Sequence, residues 1–198
     1  MPPANHIFSS HNMHKPERER EDKFLVTALP GNLDQFHAEV IEQAYMCLGR
    51  NPDGHRIRKV SELHTEDGPP RNPPKYFIAM KKDTGGLGER EEFEHEITEN
   101  DYLVYMNNVE SPPIKKVRYR IPHDGHVIEL DVYAGNVFPL IIAEVEFTPG
   151  EDTSKFSKPE WLGENVTGDK RYDNRTLAKT QHLPNDGRLV YLMRENAA

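Results

Sequence analysis

The sequence predicts a mainly β (α+β) fold of about eight antiparallel strands, and three observations carry that expectation. Short segments alternate charged and apolar residues with the period of two that a half-buried strand requires, as in Glu129–Val132 (ELDV) and Glu144–Phe147 (EVEF). Turn signals separate them, such as Asn51–Gly54 (NPDG) and His123–Gly125 (HDG). Long apolar runs of the parallel-strand type are few, so strands joined by short turns pair antiparallel. That many strands close into a barrel or split into a sandwich.

The elements follow in order. Glu19–Val26 (EREDKFLV) is a strand with Glu19, Glu21 and Lys23 on one face and Arg20, Asp22 and Phe24 on the other, broken by Pro30 and Gly31. Asn32 caps a helix whose stripe is Leu33, Phe36 and Val40, with Gln35 completing the cap. A strand follows over 41–48, and 55–60 is a short strand with Arg56 and Arg58 on one face. The stretch 65–74 is too rich in proline and glycine to be regular. Lys75–Lys82 is a strand, 84–88 a turn, and in 89–97 Arg90, Glu92, Glu94 and Glu96 oppose Phe93 and Ile97. Thr98 with Asp101 forms a capping box opening a helix to about Val109. The strand 114–121 sets Lys116, Arg118 and Arg120 against Val117 and Tyr119; strands over 126–135 and 139–147 follow. The stretch from Ser157 to Thr180 is expected to hold two short helices, the second capped by Thr167.

Composition narrows the function. At 198 residues the chain is expected to form one domain, over 18–180, with a polar N-terminal extension (1–17) and a C-terminal tail (181–198). A net charge of −8 argues against coating nucleic acid, although a local basic groove is compatible with it. The single cysteine, Cys47, rules out an intrachain disulfide framework and suits a reducing cytoplasm. No apolar run reaches the length of a membrane span, and the first residues lack the apolar core of a signal peptide.

The charged faces carry the chemistry. An ordinary solvated sheet also alternates, but its polar face mixes Thr, Ser, Gln and Lys. Here Glu129/Asp131 and Glu144/Glu146 are acidic faces, whereas Arg56/Arg58 and Lys116/Arg118 are cationic ones. Like charges side by side repel, so each cluster needs a counter-charge from another strand or from a ligand. With the apolar faces covered by helices, the charges would line an interior. A closed barrel would gather Lys23, Arg56, Arg58, Lys81, Arg90, Lys116 and Arg118 with Glu19, Glu21, Glu92, Glu94, Glu129, Asp131, Glu144 and Glu146. A polyanion plus hard divalent cations satisfies both sets: guanidinium and ammonium groups hold phosphate oxygens, and carboxylates hold Mg²⁺ or Mn²⁺.

These residues resemble a known family. Glu19, Glu21 and Lys23 are similar to the opening ExExK motif of the triphosphate tunnel metalloenzymes, the CYTH superfamily. The similarity continues in order through RIR, YFIAMK, REEFE, KVRY, ELDVYAG, AEVEF and VTGDKRYDNRTLA, to about Ala178. The last three segments look most like the bacterial inorganic tripolyphosphatase branch. The resemblance implies a closed eight-stranded antiparallel β-barrel tunnel, helices outside and a C-terminal plug helix. It implies metal-dependent hydrolysis of a small-molecule triphosphate, with Mg²⁺ or Mn²⁺ as cofactor, two ions accompanying the substrate, and frequent homodimers. Arg56, Arg58, Lys81, Arg90 and Arg118 are then substrate ligands, and Glu19, Glu21, Glu129, Asp131, Glu144 and Glu146 the metal-binding set. Glu92 and Glu94 are further acidic tunnel residues, and Lys23, Lys116 and Glu21 the catalytic candidates. Three departures stand out: Asp22 replaces a commonly basic residue, Ala79 a frequent Thr, and Asn165 a Glu. The loop 65–74 is longer than usual.

Two proton acceptors compete, a lysine (Lys23 or Lys116) and a metal-bound hydroxide. Thiamine triphosphatase, nucleoside or RNA 5′-triphosphatase and adenylate cyclase would use the same charges, and no aromatic cluster announces a thiamine or adenine pocket. A non-catalytic polyphosphate-binding module needs the cations but not the acidic faces. Trp161 is expected to anchor the C-terminal helices, Tyr172 to belong to the plug, Cys47 to pack in a strand, and His123 and His126 to be solvated. His6, His11 and His14 have no compact metal-ligand spacing.

Overall fold

A computed structural model describes residues 17–46, 55–63, 72–83, 86, 89–148 and 150–184, with backbone only at 17–19, 81–83 and 89–90. The N-terminal extension before Glu17, Cys47, the 51–54 turn and all but the end of the proline loop lie outside the described residues.

The sheet is antiparallel and nine-stranded. Its strands are β1 (Glu17–Val26), β2 (His37–Met46), β3 (His55–Glu62), β4 (Lys75–Asp83), β5 (Glu89–Ile97), β6 (Ile114–His123), β7 (His126–Tyr133), β8 (Ile141–Phe147) and β9 (Leu162–Asn165). Two α-helices accompany them, α1 (Glu99–Met106) and α2 (Asn174–Thr180). The hydrogen-bonded order is β5-β4-β3-β2-β6-β7-β8-β1-β9. A further ladder joins β1 to β5, with Glu17 opposite Glu92 and Glu19 opposite Arg90. β1 is long enough to serve three partners: β5 at its start, β8 along Arg20–Leu25, and β9 at Phe24 and Val26.

Several local expectations hold for the reasons that prompted them. The β6–β7 hairpin turns on Asp124 and Gly125, both at positive φ (49° and 76°), the geometry of a two-residue primed turn. Thr98 caps α1 by accepting the Asp101 N–H at 3.1 Å.

Others need correction. The helix expected from Asn32 is one 3₁₀ turn, Leu33–Gln35, with Asn32 accepting the Asp34 N–H. From His37 the chain is strand, because β2 finds ladders on both sides, β3 and β6. Two paired edges outweigh a helical spacing of apolar residues, and Val40 is exposed. The first C-terminal helix is instead β9, the ninth strand. Thr167 is not a helix cap: its hydroxyl accepts the Lys23 N–H at 2.9 Å, and Asp169 caps the 3₁₀ turn Lys170–Tyr172. Trp161 packs against the sheet cluster around Phe24, Val26 and Leu162 rather than anchoring the helices.

Three apolar clusters locate the core. One, containing Ala44, Met46, Ile57, Tyr76, Ile78 and Tyr102, lies between β2–β4 and α1. The second gathers Phe24, Ile128, Leu130, Val145 and Phe147 from β1, β7 and β8. Leu33, Phe36, Phe156 and Trp161 cover it. These residues alternate with the charged ones, so the sheet buries its apolar face under helix and loop and leaves the charged face on its other side. The third cluster caps one end of that charged face: Leu25, Ile114, Tyr133 and Ile142 meet Tyr172, Leu177 and Ala178 of the α2 segment. Among the described residues no helix is long and apolar enough to cross a membrane.

The β6–β7 hairpin is clasped to the segment after β8, so His123 and His126 are not simply solvated. His123 Nε2 lies 2.7 Å from the Ser157 carbonyl. His126 Nε2 lies 2.7 Å from Glu151 and its Nδ1 2.9 Å from the Asp124 carbonyl. Two acceptors require two ring N–H groups, which only the imidazolium supplies. The Glu151 hydrogen bond accordingly raises the His126 pKa above its usual 6.5, partial burial opposing it and the Asp124 carbonyl assisting. A raised folded-state pKa stabilises fully below the unfolded value, and the gain is lost as pH rises through the folded value. The thermal midpoint of the wild type minus that of His126→Gln should therefore be largest below pH ~6.5 and shrink above it. A difference flat with pH would remove the charged clasp.

Candidate active site

The site is one continuous face of the sheet, and register sets who meets whom. Arg118 is opposite Asp131, Arg120 opposite Glu129, Glu129 opposite Glu144, and Lys23 opposite Glu144. Alternation turns each of these side chains to the same side.

Arg118 is the hub. It donates to both carboxylate oxygens of Asp131 at 2.7 Å and to Glu144 at 2.8 Å, and pairs also with Glu129. Lys116 pairs with the second Asp131 oxygen. Lys23 holds Glu144 at 2.7 Å and Glu21 at 3.4 Å. Arg120 closes the row on Glu129 at 2.5 Å and Glu39 at 3.5 Å. Lys23, Lys116, Arg118, Glu129, Asp131 and Glu144 are all buried, Asp131 fully (0% exposed).

A second wall joins β3 to β5 across β4. Arg56 pairs with Glu92 and, at 3.3 Å, with Glu94; Arg58 takes both Glu94 oxygens at 2.6 and 2.5 Å. These arginines must reach over the intervening strand, and Ala79 stands between Arg56 and Glu94 in the register. A methyl group there leaves the path open, which gives a structural use to the missing Thr. Arg58 instead passes over the Phe77 ring, 5.4 Å from its centroid.

The electrostatics are those of a dense, buried cluster. Burial disfavours the Glu144 carboxylate, but Lys23, Arg118 and Lys116 outweigh it and hold its pKa well below 4.5. Burial likewise opposes the Lys23 ammonium, and Glu144 and Glu21 more than offset it, raising its pKa. At Lys116 the balance reverses: burial and the Arg118 charge lower the pKa against Asp131 and Glu144. Burial and Arg56 depress the Arg58 pKa, with Arg118 adding to the effect. The Arg58 guanidinium on β3 thus feels the Arg118 charge on β6 as well as its Glu94 partner.

Among the sequence candidates, Lys23, Lys116, Arg118, Glu21, Glu129, Asp131 and Glu144 come together, and Arg56, Arg58, Glu92 and Glu94 form the facing wall. Glu146 shares the face but lies exposed beyond Glu144. The side chains of Glu19, Lys81 and Arg90 lie outside the described residues; their backbones occupy the same face by register. Glu39, Gln43 and Tyr45 also belong to this face. The helical spacing of Leu33, Phe36 and Val40 hides Glu39, although its spacing of two from Ile41 and Gln43 marks the strand.

The donor chemistry fits a hard divalent cation. Glu21, Glu129, Asp131 and Glu144 are carboxylates on adjacent strands, the kind of oxygen ligands that Mg²⁺ and Mn²⁺ take. In the structure their oxygens face lysine and arginine. Among the described residues no group of three or more His, Cys, Asp or Glu is gathered to hold an ion.

A buried face that interleaves guanidinium, ammonium and carboxylate groups within an antiparallel sheet defines an anion-handling β protein. A relative from Nitrosomonas europaea, named inorganic triphosphatase, is 36% identical over 162 residues, covering 81% of this chain and 96% of the relative. Another of that name, from Acetivibrio thermocellus, is 36% identical over 111 residues, covering 54% of this chain and 68% of the relative. A solved structure described as the inorganic triphosphatase NE1496 is 31% identical with a TM-score of 0.54, covering 81% of this chain and 93% of that one. No family model matches the chain. The chain belongs to the triphosphate tunnel metalloenzymes, the CYTH superfamily, in the branch of the bacterial inorganic triphosphatases.

Proposed function

We propose that this chain is a metal-dependent hydrolase that cleaves the terminal phosphate of inorganic tripolyphosphate. The reading's support is the grouping of buried Arg118 with the half-buried Arg56 and Arg58, each paired to carboxylates while their positive charges oppose one another. Such a cluster favours a compact polyanion. The names of the two relatives support inorganic triphosphate over a nucleotide or thiamine ester.

The sheet then acts as a closed tunnel, supported by the β1–β5 ladder at one seam and the α2 plug at one end. Substrate phosphates would exchange for the resting ion pairs. Arg118 would turn from Asp131 and Glu144 to phosphate oxygens, and Arg56 and Arg58 would leave Glu92 and Glu94 in the same way; Lys81 and Arg90 would add to this grip. Freed carboxylates (Glu19, Glu21, Glu129, Asp131, Glu144 and Glu146) would hold Mg²⁺ or Mn²⁺, which supplies charge neutralisation and activation of the attacking water. Lys23 and Lys116 would place ammonium charge against the phosphate chain, stabilising the charge that develops as the terminal bond breaks. The lone cysteine agrees with a cytoplasmic setting.

Phosphate release from tripolyphosphate, thiamine triphosphate and ATP, each with and without Mg²⁺ or Mn²⁺, tests the proposal. Tripolyphosphate with metal should be fastest. Preferential turnover of ATP or thiamine triphosphate would replace the substrate, and binding without turnover of any would replace the enzyme with a binder.

A further inference from the structure

Tyr133 joins the charged face to the plug through a contact that the proposed chemistry leaves unused. It stands directly opposite Lys116 in the β6–β7 ladder, and the Lys116 ammonium lies 5.6 Å from its ring centroid. Its hydroxyl donates to Asn174 Oδ1, at the first residue of α2, over 2.5 Å. Tyr133 and Lys116 are 1% and 2% exposed, so water does not stand in for either contact. Lys116 pairs with Asp131 on one side, and the tyrosine ring bounds it on the other.

The far side of α2 is itself fixed. Glu110 accepts from Arg175 at 2.7 Å and from Lys179 at 2.8 Å. Gln181 Nε2 donates to the Pro112 carbonyl at 3.2 Å. Leu177 and Ala178 pack into the same cluster as Tyr133. The position of Asn174 is thus set by how α2 docks, and the tilt of the Tyr133 ring by Asn174. A flexible lysine stem gains direction only from such neighbours.

We infer that Tyr133 is a positioning residue for Lys116, its ring aligned by Asn174, so that docking of α2 sets where the Lys116 ammonium meets the substrate. What Lys116 does there rests on the triphosphatase reading; the mechanical coupling does not.

Tyr133→Phe keeps the ring and removes the hydroxyl, while Asn174→Ala removes the acceptor from the other side. Each should lower kcat for tripolyphosphate roughly 5- to 20-fold, an effect of misplacement, with KM within about twofold. The double variant should be no worse than either single one, because both break one link. Unchanged kcat in folded Tyr133→Phe, or a loss confined to melting temperature, would overturn the inference.

A second readout needs no turnover. In lysine side-chain NMR, with Lys116 assigned by the signal lost in Lys116→Arg, the ring-shifted ε-methylene should move in Asn174→Ala. An unmoved signal refutes the coupling whatever the activity. Failure of the wild type to cleave tripolyphosphate would sink the functional reading and leave the NMR result to stand on its own.

Discussion

Arg118→Ala should be the most damaging single substitution in this protein, costing stability and activity together. The guanidinium holds Glu129, Asp131 and Glu144, and its removal strands buried carboxylates that Lys23, Lys116 and Arg120 only partly neutralise. Breaking a buried pair in this way costs about 3–5 kcal/mol, because the remaining charge stays desolvated. For a chain of this size that corresponds to a fall in Tm on the order of 10 °C. Phosphate release should drop about 10²- to 10³-fold, the loss of one fixed charge at a developing anion. Acid sensitivity supplies an independent reading. Glu144 has a depressed pKa, so its stabilising contribution is present above its usual 4.5 and is lost as pH falls through the folded value. Without Arg118 that folded value rises, and acid unfolding should begin at higher pH than in the wild type. A variant with unchanged melting and acid profiles would show that the hub carries no load. Arg118→Lys should recover part of the stability and little of the activity, since an ammonium cannot span three carboxylates.

Glu21→Gln should separate activity from stability. The isosteric amide keeps the side-chain volume and can still accept from Lys23, 3.4 Å away, so the fold should survive the change. Lys23 retains Glu144 at 2.7 Å. If Glu21 is part of the metal-holding wall, the same change removes a negative charge where the cation binds, and Mg²⁺- or Mn²⁺-dependent release should fall about 100-fold or more. A folded Glu21→Gln protein with turnover within a few-fold of the wild type would contradict the acidic-wall assignment. The pair of variants is informative together: Arg118→Ala loses both properties, Glu21→Gln only one.

Legibility of the fold tracked the strength of local signals. β6 and β7 were readable because a primed turn fixes their register and strict alternation fixes their faces; Arg118 opposite Asp131 follows from both. The capping box at Thr98 was equally local. The start of His37–Met46 is masked in the sequence because Leu33, Phe36 and Val40 have helical spacing. The ladders to β3 and β6 that override it involve residues about 20 and 80 positions away, which periodicity does not register. β9 failed similarly, as a four-residue strand defined only by its place beside β1.

The site was legible as charge pattern and less so as arrangement. Period-two spacing placed Glu129, Asp131, Glu144, Arg56 and Arg58 on their faces, and like-charge clustering implied a counter-charge. Sequence alone did not distinguish a ligand from another strand as its source. In the structure another strand supplies it at three places: Arg118 against Asp131, Arg58 against Glu94, Lys23 against Glu144. The sequence also gave no sign that Lys23 and Lys116, similar on paper, would differ in electrostatics. That difference depends on burial depth and on the Arg118 charge beside Lys116.

On the proposed function, this network exchanges its ion pairs for a triphosphate and divalent metal. Time-resolved ³¹P NMR of tripolyphosphate with the wild-type protein measures that most directly. With Mg²⁺ or Mn²⁺ each tripolyphosphate should be converted to one pyrophosphate and one orthophosphate, and conversion should stop when a chelator is added. No phosphate release with either metal, or an equal rate in the presence of chelator, would contradict it.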